Sequence, residues 1–132
     1  SSFKKDEIIM SANFVLKKAT KQEIMNKRAK ASAGRKETQP LRFRSAGSLF
    51  KNPKKDVAAG YLIDKAGLKG THRGDAEISK KHANFFVNHG KANAEDIVFL
   101  IRLARKTVEK KFGINLELEV KTLGFKPEIF ES

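Results

Sequence analysis

The clearest periodicities lie in the last third of the chain. Ile97, Leu100, Ile101, Ala104, Val108 and Phe112 recur at the i, i+3, i+4, i+7 spacing of an amphipathic helix. Asn93 stands where a cap belongs, Glu95 and Asp96 occupy the first turn, and Lys110 and Lys111 the last, before a terminating Gly113. The stretch INLELEV then alternates strictly, with Ile114, Leu116, Leu118 and Val120 on one face and Asn115, Glu117 and Glu119 on the other. That is the pattern of a half-buried strand with a polar face.

Earlier segments are shorter. Residues 8–17, IIMSANFVLK, are rich in Ile, Phe, Val and Leu and predict a strand. Thr20 and Glu23 have the spacing of a capping box, so a helix is expected from about 21 to 33, ended by Gly34. Residues 34–56 hold Gly34, Pro40, Gly47 and Pro53 without a sustained period and read as an irregular, functional connection. Val57, Leu62, Ile63 and Ala66 then predict a short helix closed by Gly67. DAEIS and NFFVN are two short strands around KKHA, with Gly90 closing the segment. With no internal repeat, the expected fold is α+β, a single compact domain with a small, mostly antiparallel sheet packed on helices. Residues 1–19 read as the end of a preceding domain or a lead-in strand, and residues 20–132 as the domain itself.

At 132 residues with 39% apolar content the chain can bury a real core, but not two. No stretch approaches the roughly 18 consecutive apolar residues of a membrane span, and SSFKKDEIIM lacks the apolar centre of a signal peptide. The chain therefore reads as soluble and cytoplasmic, without a membrane partner. It lacks an initiator Met, so it reads as a piece of a longer protein. The absence of cysteine excludes disulfides and thiolate catalysis, and His72, His82 and His89 fit no metal spacing. The net charge of +13 makes a polyanionic partner the first to consider. Its Lys and Arg are spread over FKKDE, LKKATKQ, NKRAK, NPKKD, SKKHA and RKTVEKK, as on a solvated basic surface.

Four collinear blocks change the picture. QPLRFRSAGSLFKNP at 39–53, AGYLIDKAGLKG at 59–70, SKKHANFFVN at 79–88 and LELEVKTLG at 116–124 resemble the C-terminal part of the UDP-N-acetylenolpyruvoylglucosamine reductase family. Ser1 and Phe3 also fit the second half of a Tyr-Arg-x-Ser-x-Phe motif that precedes this part in the family. The resemblance implies an oxidoreductase of peptidoglycan precursor synthesis. Its FAD is reduced by NADPH and passes hydride to C3 of the enolpyruvyl group of a UDP-sugar, after which C2 takes a proton.

By resemblance, Ser48, the second serine of SAGS, is the proton donor, and Glu119 stabilises or protonates the enol. Alone, Ser45–Ser48 reads as an ordinary turn and Glu119 as a solvated strand carboxylate, with Glu117 its rival on the same face. Small neighbours such as Ala46 and Gly47 let a backbone approach a ligand closely. Lys36 and Asn52 match residues that grip the diphosphate side of the substrate, with Arg35 as the alternative to Lys36. His82 reads as structural. The family binds FAD mainly through an N-terminal region that nothing here resembles, and its substrate tyrosine and enol-stabilising arginine would stand ahead of Ser1. The expected partners are a UDP-sugar and the remainder of a reductase chain, and the piece alone is expected to be inactive. Two rival readings are a basic nucleic-acid-binding module, for which no recognition helix, zinc motif or aromatic block appears, and a stand-alone UDP-sugar-binding domain without catalysis.

Overall fold

The Thr20–Glu23 capping box forms. In the computed structural model, which describes residues 7–130, the Thr20 hydroxyl accepts the Glu23 N–H at 3.3 Å while the Glu23 carboxylate accepts the Thr20 N–H at 2.8 Å. The backbone bond first, and then the Thr20 hydroxyl, hold the Glu23 carboxyl below the usual range. This box opens α1, Lys21–Thr38. Gly34 does not end it, because Arg35, Lys36 and Glu37 are good helix formers. The stop comes at Gln39, whose extended backbone (φ −114°, ψ 147°) is the conformation that the following Pro40 demands. None of the residues of α1 is buried.

The strand expected over 8–17 is absent. Residues 7–19 have no regular structure, and Ile8, Ile9, Met10, Phe14, Val15 and Leu16 are exposed. Strand propensity becomes a strand only when a neighbouring edge accepts its hydrogen bonds, and no described edge pairs with this segment. The fit of Ser1 and Phe3 to the upstream motif lies outside the described residues.

After α1 come β1 (Arg44–Ser48), α2 (Ala59–Lys65), β2 (His72–Arg73), β3 (Ala76–Ile78), β4 (Phe85–Asn88), α3 (Ala94–Phe112) and a 3₁₀ turn at Pro127–Phe130. The four strands form one antiparallel sheet in the order β1-β4-β3-β2. β3 and β4 are the strands expected from DAEIS and NFFVN. β1 corrects the reading of 34–56 as irregular: RSAGS has neither β-branched residues nor apolar alternation, so its strand state comes from pairing with β4. β2 is too short for any pattern to announce.

α3 begins at the second box, where the Asn93 side chain accepts the Asp96 N–H at 2.8 Å, and it ends at Gly113 as expected. Leu100, Ile101, Ala104 and Val108 are buried against the sheet, together with Val98 at the edge of the stripe. Phe112, in the last turn, is instead 37% exposed, with the Lys111 ammonium 5.9 Å from its ring centre. α2 contributes Ala59, Leu62 and Ile63 to the same core. A Cβ on Gly60 would stand 3.1 Å from the His82 ring and 3.4 Å from the Asn84 Cβ, so a glycine is what lets α2 lie this close to the turn before β4.

INLELEV keeps its predicted faces but not its strand. Leu116 is fully buried, Leu118 is half-buried, and Glu117 and Glu119 are exposed. The segment makes a single antiparallel bridge, Phe50 to Leu118, instead of a ladder. Arg105 holds its start, donating from Nε to the Leu116 carbonyl at 2.8 Å and from Nη1 to the Phe130 carbonyl at 2.7 Å.

The core contains one polar side chain that substitutes for a strand partner. Asn84, only 4% exposed, accepts the Phe50 N–H at 3.0 Å and donates to the Phe50 carbonyl at 2.8 Å. Asn84→Leu should therefore lower the unfolding free energy in urea by about 2–5 kcal/mol, since it leaves a buried N–H and C=O without partners. His82, whose Nδ1 accepts the Asn84 N–H at 3.2 Å, is held below its ordinary pKa chiefly by burial. The unfolded chain takes up this proton near pH 6.5, whereas the folded chain resists it until lower pH. Stability should thus fall as pH drops below about 6.5, and His82→Asn, which keeps an acceptor without the titration, should flatten that part of a stability-versus-pH curve.

Candidate active site

Ser48 closes β1 at an irregularity. The register runs Arg44 to Asn88 and Ser45 to Val87, then skips to Ser48 opposite Phe85. The extra residues bulge out, with Gly47 at φ +84°, a conformation that disfavours any side chain, and nothing within 4 Å of where a Cβ would be. Beyond the bulge the chain dives into the core: Ser48 is half-buried, Leu49 2% exposed and Phe50 fully buried. The hydroxyl group is thus carried at the point where an open glycine bulge meets the packed interior.

Glu119 lies on the neighbouring extended segment. Its N–H donates to the Leu49 carbonyl at 2.8 Å, and the Lys51 N–H donates to the Glu117 carbonyl at 2.8 Å. The two bonds flank the Phe50–Leu118 bridge and bring the backbones of the two catalytic candidates side by side. The same geometry separates Glu119 from its rival. Glu117 forms an ion pair with Lys51, while the Glu119 carboxylate has no hydrogen-bond or ion-pair partner among the described residues.

Asn52 follows four residues after Ser48, and the structure gives it a task that the sequence did not announce. Its Oδ1 accepts the Ala59 N–H at 3.1 Å and so caps α2, whose own N-cap residue, Ala58, has no side-chain acceptor. Lys36 stands elsewhere. It lies in the last turn of α1 and lines a cavity of about 750 Å³ with Arg42, Phe43, Lys80, Lys81 and His89, a cavity that includes none of Ser48, Asn52 or Glu119. Arg35 does not line it. The Lys81 ammonium donates to the Lys36 carbonyl and anchors this end of α1 to the body of the domain. In the same cavity wall the His89 ring nitrogen meets the Glu77 carboxylate at 2.6 Å, and Phe43 packs edge-on against the His89 ring at 4.7 Å.

Ser48 and Glu119 are candidates through the resemblance, whereas the sequence did not single out Asn84 and Lys81, which hold the segments that carry Ser48 and Lys36. A signal was present: Asn84 is a lone polar residue between Ala83 and the apolar FFV run. His82 is structural, as expected, seated edge-on against Phe85 at 4.9 Å.

Open N–H groups at a helix N-terminus or a glycine-rich turn are one way to hold a diphosphate. α1 and α3 begin with capping boxes whose carboxylates, Glu23 and Asp96, already fill that place, and the first N–H of α2 is taken by Asn52. The described residues therefore leave neither α1 nor α3 with an uncapped N-terminus. They also contain no group of three or more His, Asp or Glu that could hold a metal, and no helix long and apolar enough to cross a membrane.

Residues 39–123 match the family described as UDP-N-acetylenolpyruvoylglucosamine reductase, C-terminal domain. Among curated relatives, the UDP-N-acetylenolpyruvoylglucosamine reductase of Clostridium novyi is 46% identical over 92% of this chain and 39% of its own length. UDP-N-acetylenolpyruvoylglucosamine reductase 2 of Symbiobacterium thermophilum is 55% identical over 70% of this chain and 30% of its own. The crystal structure of UDP-N-acetylenolpyruvylglucosamine reductase from Thermus caldophilus superposes with a TM-score of 0.63 at 45% identity, over 80% of this chain and 36% of that one. This chain thus spans about two fifths or less of the length of each. Four collinear blocks, an antiparallel α+β domain of matching shape and identities near one half lead to one conclusion: the chain belongs to the UDP-N-acetylenolpyruvoylglucosamine reductase family, and corresponds to its C-terminal domain.

Proposed function

We propose that this chain is the substrate-binding part of a cytoplasmic reductase of peptidoglycan precursor synthesis. The complete enzyme reduces the enolpyruvyl group of UDP-N-acetylglucosamine enolpyruvate to give UDP-N-acetylmuramate. NADPH is the reductant, and FAD, held by residues outside this chain, supplies the hydride when bound. The observation that carries the reading is the backbone pairing of residues 49–51 with 117–119, which sets Ser48 and Glu119 on adjacent fixed segments.

In this reading the Ser48 hydroxyl gives its proton to C2 of the substrate once C3 has received hydride. A serine is a weak acid in water, but a carbanionic carbon is strongly basic, and fixed placement supplies much of the rate. Glu119, its carboxyl group without a partner among the described residues, stabilises the enol or, as the protonated acid, gives it a proton. Asn52 and Lys36 grip the diphosphate side, Lys36 as a point charge and Asn52 through its amide donors, its Oδ1 being committed to α2. The comparisons lend the nucleic-acid alternative no support, and the fold itself employs some of the cations. Lys51 and Lys69 are in ion pairs, Lys81, Arg105 and Lys111 donate to backbone carbonyls, and Arg73 lies 4.9 Å above the Phe99 ring.

In the complete reductase, Ser48→Ala should leave flavin reduction by NADPH nearly intact while slowing reoxidation by the enolpyruvyl substrate by about 10²–10⁴-fold in stopped-flow. Equal loss in both half-reactions would contradict the assigned role. Lys36→Met should raise KM for the UDP-substrate by about 10–100-fold, against little change for Arg35→Met; steady-state kinetics with the order reversed would make Arg35 the ligand. Tight binding of a UDP-sugar by this chain alone, with no effect of Ser48→Ala on the complete protein, would favour a binding domain without catalysis.

A further inference from the structure

Between the two candidate residues Ser48 and Asn52 the backbone is tied down group by group. The Leu49 N–H donates to the Asn84 carbonyl at 2.9 Å, the Leu49 carbonyl accepts from Glu119, and the Lys51 N–H donates to Glu117. The N–H and C=O of Phe50, at the centre, both bond the Asn84 side chain. Three of these five bonds therefore end on one residue, and Ser48 and Asn52 stand two positions to either side of its main target. Asn84 is itself held in place, its N–H on the His82 ring. The next residue, Phe85, is the register partner of Ser48 across the sheet.

An amide side chain suits this place because it carries one acceptor and one donor in the arrangement of a peptide group. A real strand there would continue past Phe50 and cover the flanking residues. The Asn84 side chain binds Phe50 while its backbone carbonyl takes the Leu49 N–H and Phe85 faces Ser48, so pairing on that edge stops at Phe50 and leaves Asn52 beyond it. We infer that Asn84 is a positioning residue for the reaction, which sets the reach of the Ser48 hydroxyl by clamping the backbone two residues downstream. The inference rests on the proposed role of Ser48. A displacement of the order of 1 Å at a reacting group costs about 100-fold in rate, so the clamp has a kinetic as well as a structural consequence.

The test uses the complete, flavin-loaded reductase. Flavin reduction by NADPH and reoxidation by UDP-N-acetylglucosamine enolpyruvate are followed separately by stopped-flow, at a temperature where thermal melts show each variant folded. Asn84→Ala should slow reoxidation by about 100-fold and leave flavin reduction unchanged within about twofold. In Asn84→Asp an ionised carboxylate faces the Phe50 carbonyl without a donor, but the protonated acid restores both the donor and the acceptor. Reoxidation by Asn84→Asp, relative to the unsubstituted enzyme, should therefore recover as pH is lowered, and that by Asn84→Ala should not. If Asn84→Ala fails to fold, the Asp variant and its pH profile carry the test. Reoxidation within about threefold of normal in both variants, or a parallel fall in both half-reactions, overturns the inference. Ser48→Ala separates the two levels: if it leaves reoxidation unaffected, the reading of the site is wrong, whereas if it abolishes reoxidation while the Asn84 variants retain it, only the clamp is wrong.

Discussion

The pair of hydrogen bonds between the Asn84 amide and the backbone of Phe50 is the constraint on which the rest of this domain depends. Phe50 is fully buried and bridges to Leu118, so its N–H and C=O have no access to water and must be satisfied inside the protein. A further strand could have done this. A buried asparagine meets the same demand at a single point. The sheet ends there, and the chain passes on into the core.

The same economy of pairing explains the C-terminal segment. Residues 114–120 alternate as faithfully as any strand and place their apolar side chains inward, yet they contribute a bridge and two flanking hydrogen bonds only. They are held at one end by Arg105, whose guanidinium spans the Leu116 and Phe130 carbonyls. A planar fork with several donors is suited to gathering two carbonyls that do not belong to one ladder. The segment is thereby fixed in place without strand neighbours on both sides, and the Glu119 carboxylate stays unpaired at the surface.

The positive charge is likewise less uniform in use than in composition. Lys81 and Lys111 complete the hydrogen bonding of backbone carbonyls near helix ends, where cations are favoured by the helix dipole. Lys51 occupies Glu117 and so leaves Glu119 as the unpaired carboxylate of its face. Lys36 belongs to a cation-rich cavity separate from Ser48. A long, phosphate-bearing substrate gripped by both Lys36 and Ser48 must extend across the surface between these places.

Local pattern was enough to read α3 with its Asn93 cap, the Thr20–Glu23 capping box, α2, β3, β4 and the two faces of 114–120, because each depends on contacts within a few residues or on one apolar stripe against whatever core exists. Ser48, Glu119, Asn52 and Lys36 were legible only through the resemblance of whole blocks, since no spacing distinguishes a reactive serine from one in a turn. β1 was not legible: RSAGS becomes a strand because β4 offers it an edge, just as IIMSANFVLK remains unpaired because no described edge is offered to it. The pairing of Glu117 with Lys51 and the clamp at Asn84 were also decided in three dimensions. Residues 34 and 66 positions apart in the chain make those contacts, and side-chain chemistry reveals what a residue can pair with, while only the folded path of the backbone determines which partner arrives.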